Sequence, residues 1–285
     1  MDQMNKIINT LFKTDLGYKY ILNKIRNTMP FLKIQEENLR NFKIEKMDYT
    51  YHNSTNFIGE YVPKQNIIKI YLDLQGIVMD EREITEIFTH EFIHLLTSEY
   101  NSEGILLEGF SIKKEEIDSD FLGLNEGITQ MITEDLLGTN EITAYPFQTS
   151  IARKLAVILG KERIIELYSK HDVEGLINEL AKIDDTFDIA TFITQINHLH
   201  KVTNETNCQD ALGLGTQIEE NLIDLYLKSG KQKDKEFSQL IIDSKTARNL
   251  SILVPNCLTS GPDYLYYGIY PNKEDAFKQF KNKSK

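Results

Sequence analysis

The chain has 285 residues, 43 acidic against 32 basic side chains, and a net charge of −11. With no Lys/Arg cluster, that balance argues against a nucleic-acid partner, because phosphates need a basic surface. No apolar run is long enough to span a membrane, and the start Met1-Asp2-Gln3-Met4-Asn5-Lys6, with an amphipathic stretch broken by Lys13 and Asp15, matches no secretion signal; no membrane association and a cytoplasmic location are the expectations.

Residues 1 to 28 read as one or two amphipathic helices and residues 31 to 75 as a small β-rich section. Within the latter, Gly59-Glu60-Tyr61-Val62-Pro63 and Asn66-Ile67-Ile68-Lys69-Ile70-Tyr71-Leu72 are two strands joined by a polar turn. The strand before the next helix is either an edge with which an extended peptide pairs or an internal strand of the sheet.

A helix is predicted from about Glu81 to Ser98. Asp80 and Glu83 make a capping box, and Ile84, Ile87, Phe88, Glu91, Phe92 and Leu95 follow the i, i+3, i+4, i+7 pattern. On it lies His90-Glu91-Phe92-Ile93-His94. Positions i and i+4 share one helix face, so both imidazoles reach one tetrahedral ion, while Glu91 stands one residue around the helix as a base for an attacking water. A five-residue pattern also arises by accident, and the competing reading is a pair of core histidines. A mostly apolar, buried helix nevertheless needs a polar reason to hold two histidines and a glutamate.

A catalytic zinc site has three protein ligands and an open position. The best third candidate is Glu126, in Gly123-Leu124-Asn125-Glu126-Gly127-Ile128-Thr129-Gln130, where a second helix is expected to begin. Ile128, Met131, Ile132, Asp135 and Leu136 form one side, and Glu126, Thr129, Gln130 and Thr133 a polar stripe to face the first helix. Gly127, without a Cβ, is expected to let the two helices approach closely. Asp118, Asp120, Glu108 and Glu134 are acidic alternatives, with the run Lys113-Lys114-Glu115-Glu116 around the first two reading as a solvated loop. His171, His198 and His200 are farther away; His198 and His200 splay apart on a helix and are expected at the surface. Cys208 and Cys257 are single and far apart, which excludes a Cys-Cys zinc site and fits a reducing compartment.

The His-Glu-x-x-His pair followed by Leu124-Asn125-Glu126-Gly127 resembles the gluzincin metallopeptidases, and the second segment is similar to that of the M1-type aminopeptidases and smaller bacterial relatives. The resemblance covers about residues 66 to 160. It implies a zincin-like α+β lobe with a small sheet and two metal-bearing helices, Zn2+ held by His90, His94 and Glu126, Glu91 as general base, and a peptide or protein substrate. This chain departs from the family in three ways. The gap from His94 to Glu126 is longer, which implies an inserted hairpin or loop. The Gly-Ala-Met-Glu-Asn segment that holds a substrate amino terminus is absent, so endopeptidase action is the expectation. Gln130 stands where thermolysin-like enzymes carry an Asp that orients a ligand His; an amide oxygen still accepts an imidazole N–H.

An oxyanion developing on a substrate carbonyl needs a further donor. Tyr145, in Ile142-Thr143-Ala144-Tyr145-Pro146-Phe147 ahead of a helix with Pro146 in its first turn, is the first candidate, with Tyr168 and His171 as alternatives. Beyond it, helix-period segments are expected at 162 to 169, 173 to 182, 186 to 200 and 217 to 228, with 201 to 207 a polar connection, and Tyr264, Tyr266, Tyr267 and Tyr270 packing under a C-terminal loop. The expected architecture is an α+β catalytic lobe over residues 1 to 160 and a mainly helical lobe over 161 to 285 that closes the cleft. A zinc peptidase and a non-catalytic metal protein that binds a partner in the same cleft both fit this outline; Glu91 favours the first, because a binding module has no use for a base beside the metal.

Overall fold

A computed structural model of the chain describes residues 17–47, 59–71, 73–74, 77–78, 81–113, 121–138, 145–204 and 208–231. Helix α1 (Gly17–Thr28) turns Ile21, Leu22 and Ile25 inward, the apolar stripe of a surface helix. Strands β1 (Lys43–Met47), β2 (Gly59–Val62) and β3 (Ile67–Tyr71) make a sheet in the order β1-β3-β2, with β1 parallel and β2 antiparallel to β3. Strand β3 is therefore internal, and its near-continuous run of buried Ile67, Ile68, Ile70 and Tyr71 explains why it is covered on both faces. Asn66 turns the chain between β2 and β3 at φ 53°, a left-handed conformation that asparagine tolerates better than most residues. A short antiparallel pair, β4 (Asp73–Leu74) and β5 (Ile77–Val78), leads to the motif helix α2 (Glu81–Thr97). Asp80 and the Glu83 side chain, the expected capping box, lie outside the described residues.

Between α2 and the helix that carries Glu126, where the long gap implied an inserted hairpin or loop, lie β6 (Ser98–Tyr100), β7 (Leu106–Glu108) and β8 (Ser111–Lys113), an antiparallel meander. Helix α3 (Leu122–Leu137) follows. It starts at Leu122, one residue ahead of the segment in which a helix is expected to begin, with Leu124 in its first turn already part of the core. The expected division into apolar and polar sides is also incomplete. Thr129, Gln130, Thr133 and Glu134 are as buried as Ile128 and Ile132, so α3 is enclosed on nearly every side.

Helices α4 (Pro146–Leu159), α5 (Lys161–Ser169), α6 (Val173–Ile183), α7 (Ile189–Asn204) and α8 (Cys208–Lys228) complete the described chain. Helix α7 continues to Asn204, into the stretch read as a polar connection, and Val202 still faces the core there. Helix α8 begins earlier than its apolar period indicated, because Gly213 and Gly215 dilute the pattern over its first turns. The chain is α+β and mostly helical, with one apolar core that continues across residue 160 and joins Ile25, Phe92, Ile128, Leu155, Ile196 and Tyr226. Among the described residues no helix is long and apolar enough to cross a membrane. Asp118, Asp120, Cys257 and the four C-terminal tyrosines lie outside the described residues.

Candidate metal centre

The i, i+4 spacing on α2 sets the His90 and His94 rings edge to face with centroids 4.9 Å apart, and α3 brings Glu126 against both. His90 Nε2 lies 3.2 Å from His94 Nε2 and 3.1 Å from Glu126 Oε2, and His94 Nε2 lies 3.6 Å from the same oxygen. Ligand atoms bound tetrahedrally at about 2.0–2.1 Å are separated by roughly 3.4 Å, so the triangle already has the size that one metal ion requires.

The surrounding network decides which ring nitrogens face inward. Gln130 Nε2 donates to Glu86 Oε1 at 2.7 Å and to Glu134 Oε1 at 3.3 Å, which turns Gln130 Oε1 toward His90 Nδ1 at 2.9 Å. An amide oxygen accepts only, so His90 carries its proton on Nδ1. Glu108 Oε1, from the end of β7, lies 2.8 Å from His94 Nδ1, at ion-pair distance but outside hydrogen-bond alignment. The two Nε2 atoms and a carboxylate oxygen then converge in a buried space, an arrangement that needs a shared positive charge, a proton or a metal ion, at its centre. The ionisation follows the same logic. Burial disfavours the His94 imidazolium, but Glu108 and Glu126 outweigh it and hold the group well above the ordinary histidine range. Burial would likewise raise Glu126, yet His94 and His90 hold its carboxyl well below the usual carboxylate range. His90, His94 and Glu126 can hold a metal ion.

Glu91 stands beside the triangle and outside it. Its Oε2 accepts from the Tyr61 backbone N–H on β2 at 2.8 Å. Burial pushes its carboxyl up, and the neighbouring imidazoles of His90 and His94 pull it partly back. Gly59, two residues earlier on the same strand, leaves the necessary room: a Cβ there would come within 2.6 Å of Ile87 Cγ2 and 3.0 Å of Glu91 Oε1. Gly127 has a different role from the one expected. A Cβ on it would lie 2.2 Å from the Gln148 carbonyl oxygen, so it admits α4, not α2, close to α3.

Tyr145 is brought to the centre. It precedes Pro146 at the N-terminus of α4 with φ 48°, and its ring stacks on His90 at 5.5 Å. Burial, then the nearby Glu126 and Glu91 charges, hold its phenol well above the ordinary tyrosine range. The two alternatives are engaged elsewhere. The Tyr168 hydroxyl shares a 2.7 Å hydrogen bond with Thr129 Oγ1, and His171 Nδ1 donates to the Gly109 carbonyl at 2.8 Å. Glu134 pairs with Arg153 at 2.7 Å, and burial still pushes its carboxyl up to about 7.

Two residues have roles that the sequence reading missed. His198 is exposed as expected, but His200 is buried and stacks on the outer face of Tyr145 at 5.7 Å. The spacing Phe192, Ile196, His200 on one face of α7 was the available cue. Glu108, weighed only as an alternative third ligand, is buried against His94 as its neighbour; its apolar neighbours Leu106, Leu107 and Phe110 were a weaker cue. No family model matches the chain, and neither curated proteins nor solved structures give a significant match.

Proposed function

We propose that the chain is a zinc-dependent peptidase that cleaves within an extended polypeptide, with a gluzincin-type arrangement of its two ligand-bearing helices. The observation that carries this reading is the buried triangle of His90 Nε2, His94 Nε2 and Glu126 Oε2 with the Glu91 carboxylate beside it but outside the ligand set. Zinc held by these residues supplies a Lewis acid that polarises the scissile carbonyl and lowers the pKa of a water. Glu91 takes a proton from that water as its oxygen attacks the carbonyl carbon, then delivers it to the amine as the C–N bond breaks. Its raised pKa suits both transfers, because a base closer to neutrality exchanges protons with less loss in either direction. Tyr61 N–H restrains the carboxylate between them.

Strand β2 supports an extended substrate. Among the described residues it is the edge of its sheet, and the N–H of Tyr61 points outward, away from β3 and toward the centre. Tyr145, held between His90 and His200, has its phenol next to the ligand triangle, where a turn away from Glu126 aims it at the carbonyl oxygen as charge develops. The absence of a segment for holding a substrate amino terminus favours endopeptidase action.

The test is digestion of a peptide library by the full chain with zinc added and with zinc chelated, alongside the variant Glu91→Gln. The parent should contain about one zinc and cleave only when loaded. Glu91→Gln should fold, keep zinc and lose hydrolysis by several orders of magnitude. Cleavage by that variant at the parental rate would refute the assignment, whereas a zinc-loaded parent that cleaves nothing would favour a binding function for the cleft.

A further inference from the structure

The two imidazoles are held by unlike partners. His90 Nδ1 rests on a neutral amide, Gln130, whose orientation is set by Glu86 and Glu134. His94 Nδ1 lies 2.8 Å from a carboxylate oxygen of Glu108, which is 6% exposed and comes from the β7–β8 hairpin, not from α2 or α3. A carboxylate on the far side of a ligand imidazole raises the basicity of the coordinating nitrogen and fixes the ring; an amide fixes the ring and adds no charge. The anionic support of this centre is thus placed at His94.

The turn that carries Glu108 is in turn fixed by the residue preceding the third ligand. Asn125 Nδ2 donates to the Glu108 carbonyl at 2.7 Å and Asn125 Oδ1 accepts from Phe110 N–H at 2.8 Å, so one side chain spans the turn between β7 and β8. Gly109 sits between these two contacts at φ 54°, packed so closely on Tyr168 that a Cβ would come within 2.3 Å of its ring. From the other side His171 Nδ1 donates to the Gly109 carbonyl. A three-residue strand with a two-residue turn has little stability of its own, and these contacts give Glu108 a defined position.

We propose that Glu108 is the positioning residue that sets the metal affinity of this centre through His94, and that Asn125 acts on the metal through Glu108. The proposal rests on His90, His94 and Glu126 being the ligands. It makes the hairpin between the two helices part of the metal centre: α3 delivers Glu126 directly and, one residue earlier, locks the support of His94.

Zinc affinity of the full chain, measured by competition with a chromophoric chelator, tests both steps, with circular dichroism confirming that each variant is folded. The parent should bind about one zinc and His94→Ala should bind far more weakly; failure of either would reject the ligand assignment itself. With those two satisfied, Glu108→Gln, which keeps shape and removes charge, should lower zinc affinity by roughly 10–100-fold. The visible bands of its cobalt(II) form should shift, as a purely structural role would not require. An affinity within about twofold of the parent and unshifted bands would overturn the role of Glu108. Asn125→Ala should weaken zinc severalfold alone and add little in the Glu108→Gln background; full additivity would mean that Asn125 acts by another route. If Asn125→Ala does not fold, His171→Ala, which frees the same turn from its other side, takes its place in the cycle with the same expectation.

Discussion

Helices α3 and α6 are held in place by different means. Helix α6 is an ordinary surface helix: Asp172 caps its N-terminus by accepting from Gly175 N–H at 2.7 Å, and Leu176 and Leu180 are its buried residues. Helix α3 has no side-chain cap at its start and buries Asn125, Gln130 and Glu134 together with Ile128 and Ile132. One helix is placed by a local signal and an apolar stripe, the other by polar partners from α2, the β7–β8 hairpin and α4. Buried polar groups are costly unless every one is paired, so a helix of the second kind marks a site, whereas the first kind marks only a fold.

Substitutions in the two helices should separate these roles. The largest effect is expected on α3. Glu126→Ala removes the only carboxylate of the ligand triangle, so zinc content and hydrolysis should be lost together while the circular dichroism spectrum stays folded. Elemental analysis checks this, and undiminished zinc content would point to another third ligand. Next comes the residue stacked on His90. Tyr145→Phe keeps the ring and removes the hydroxyl, so kcat should fall about a hundredfold, with zinc content and KM nearly unchanged. Steady-state kinetics giving a kcat within about twofold of the parent would remove Tyr145 from the chemistry.

On α6 the effects should appear in stability alone. Leu176→Ala should cost about 2–3 kcal/mol in denaturant unfolding, the lower part of the range for a buried leucine, since a surface helix can settle into the space left. Zinc affinity should not change. Asp172→Ala should cost about 1 kcal/mol, the usual scale for losing an N-cap. If either α6 substitution weakened zinc binding as much as Glu108→Gln, the two regions would not be separable in the way their contacts indicate.

That His90, His94 and Glu126 could come together was largely legible in the sequence, because much of the information is local. His90 and His94 share a face by helical spacing, and Gln130 is one turn beyond Glu126, so a support for His90 follows from the same period. The strand pair over residues 59 to 72 was legible through its isoleucines and the polar turn. Glu108 was not, because strand β7 has three residues and too few positions to show an alternating pattern. His200 was not legible from His198, which lies two residues earlier on the opposite, exposed side of the helix; its neighbour on the buried face is Ile196. The start of α8 was missed because glycines interrupt the period that locates helix ends.

By itself the sequence determined which helices are amphipathic, where two imidazoles and a carboxylate are offered together, and that the segment around Glu126 supplies a further acid. Periodicity is a property of neighbouring residues along the chain, and burial of an apolar face enforces it wherever the helix ends up. Only the tertiary structure decided that the Nδ1 of His94 meets Glu108, that Asn125 holds the turn carrying that carboxylate, and that His200 closes on Tyr145 from residues far along the chain. Those contacts depend on how α3, α4, α7 and the hairpin pack, and close packing is settled by shapes that meet across the core, which no local pattern records.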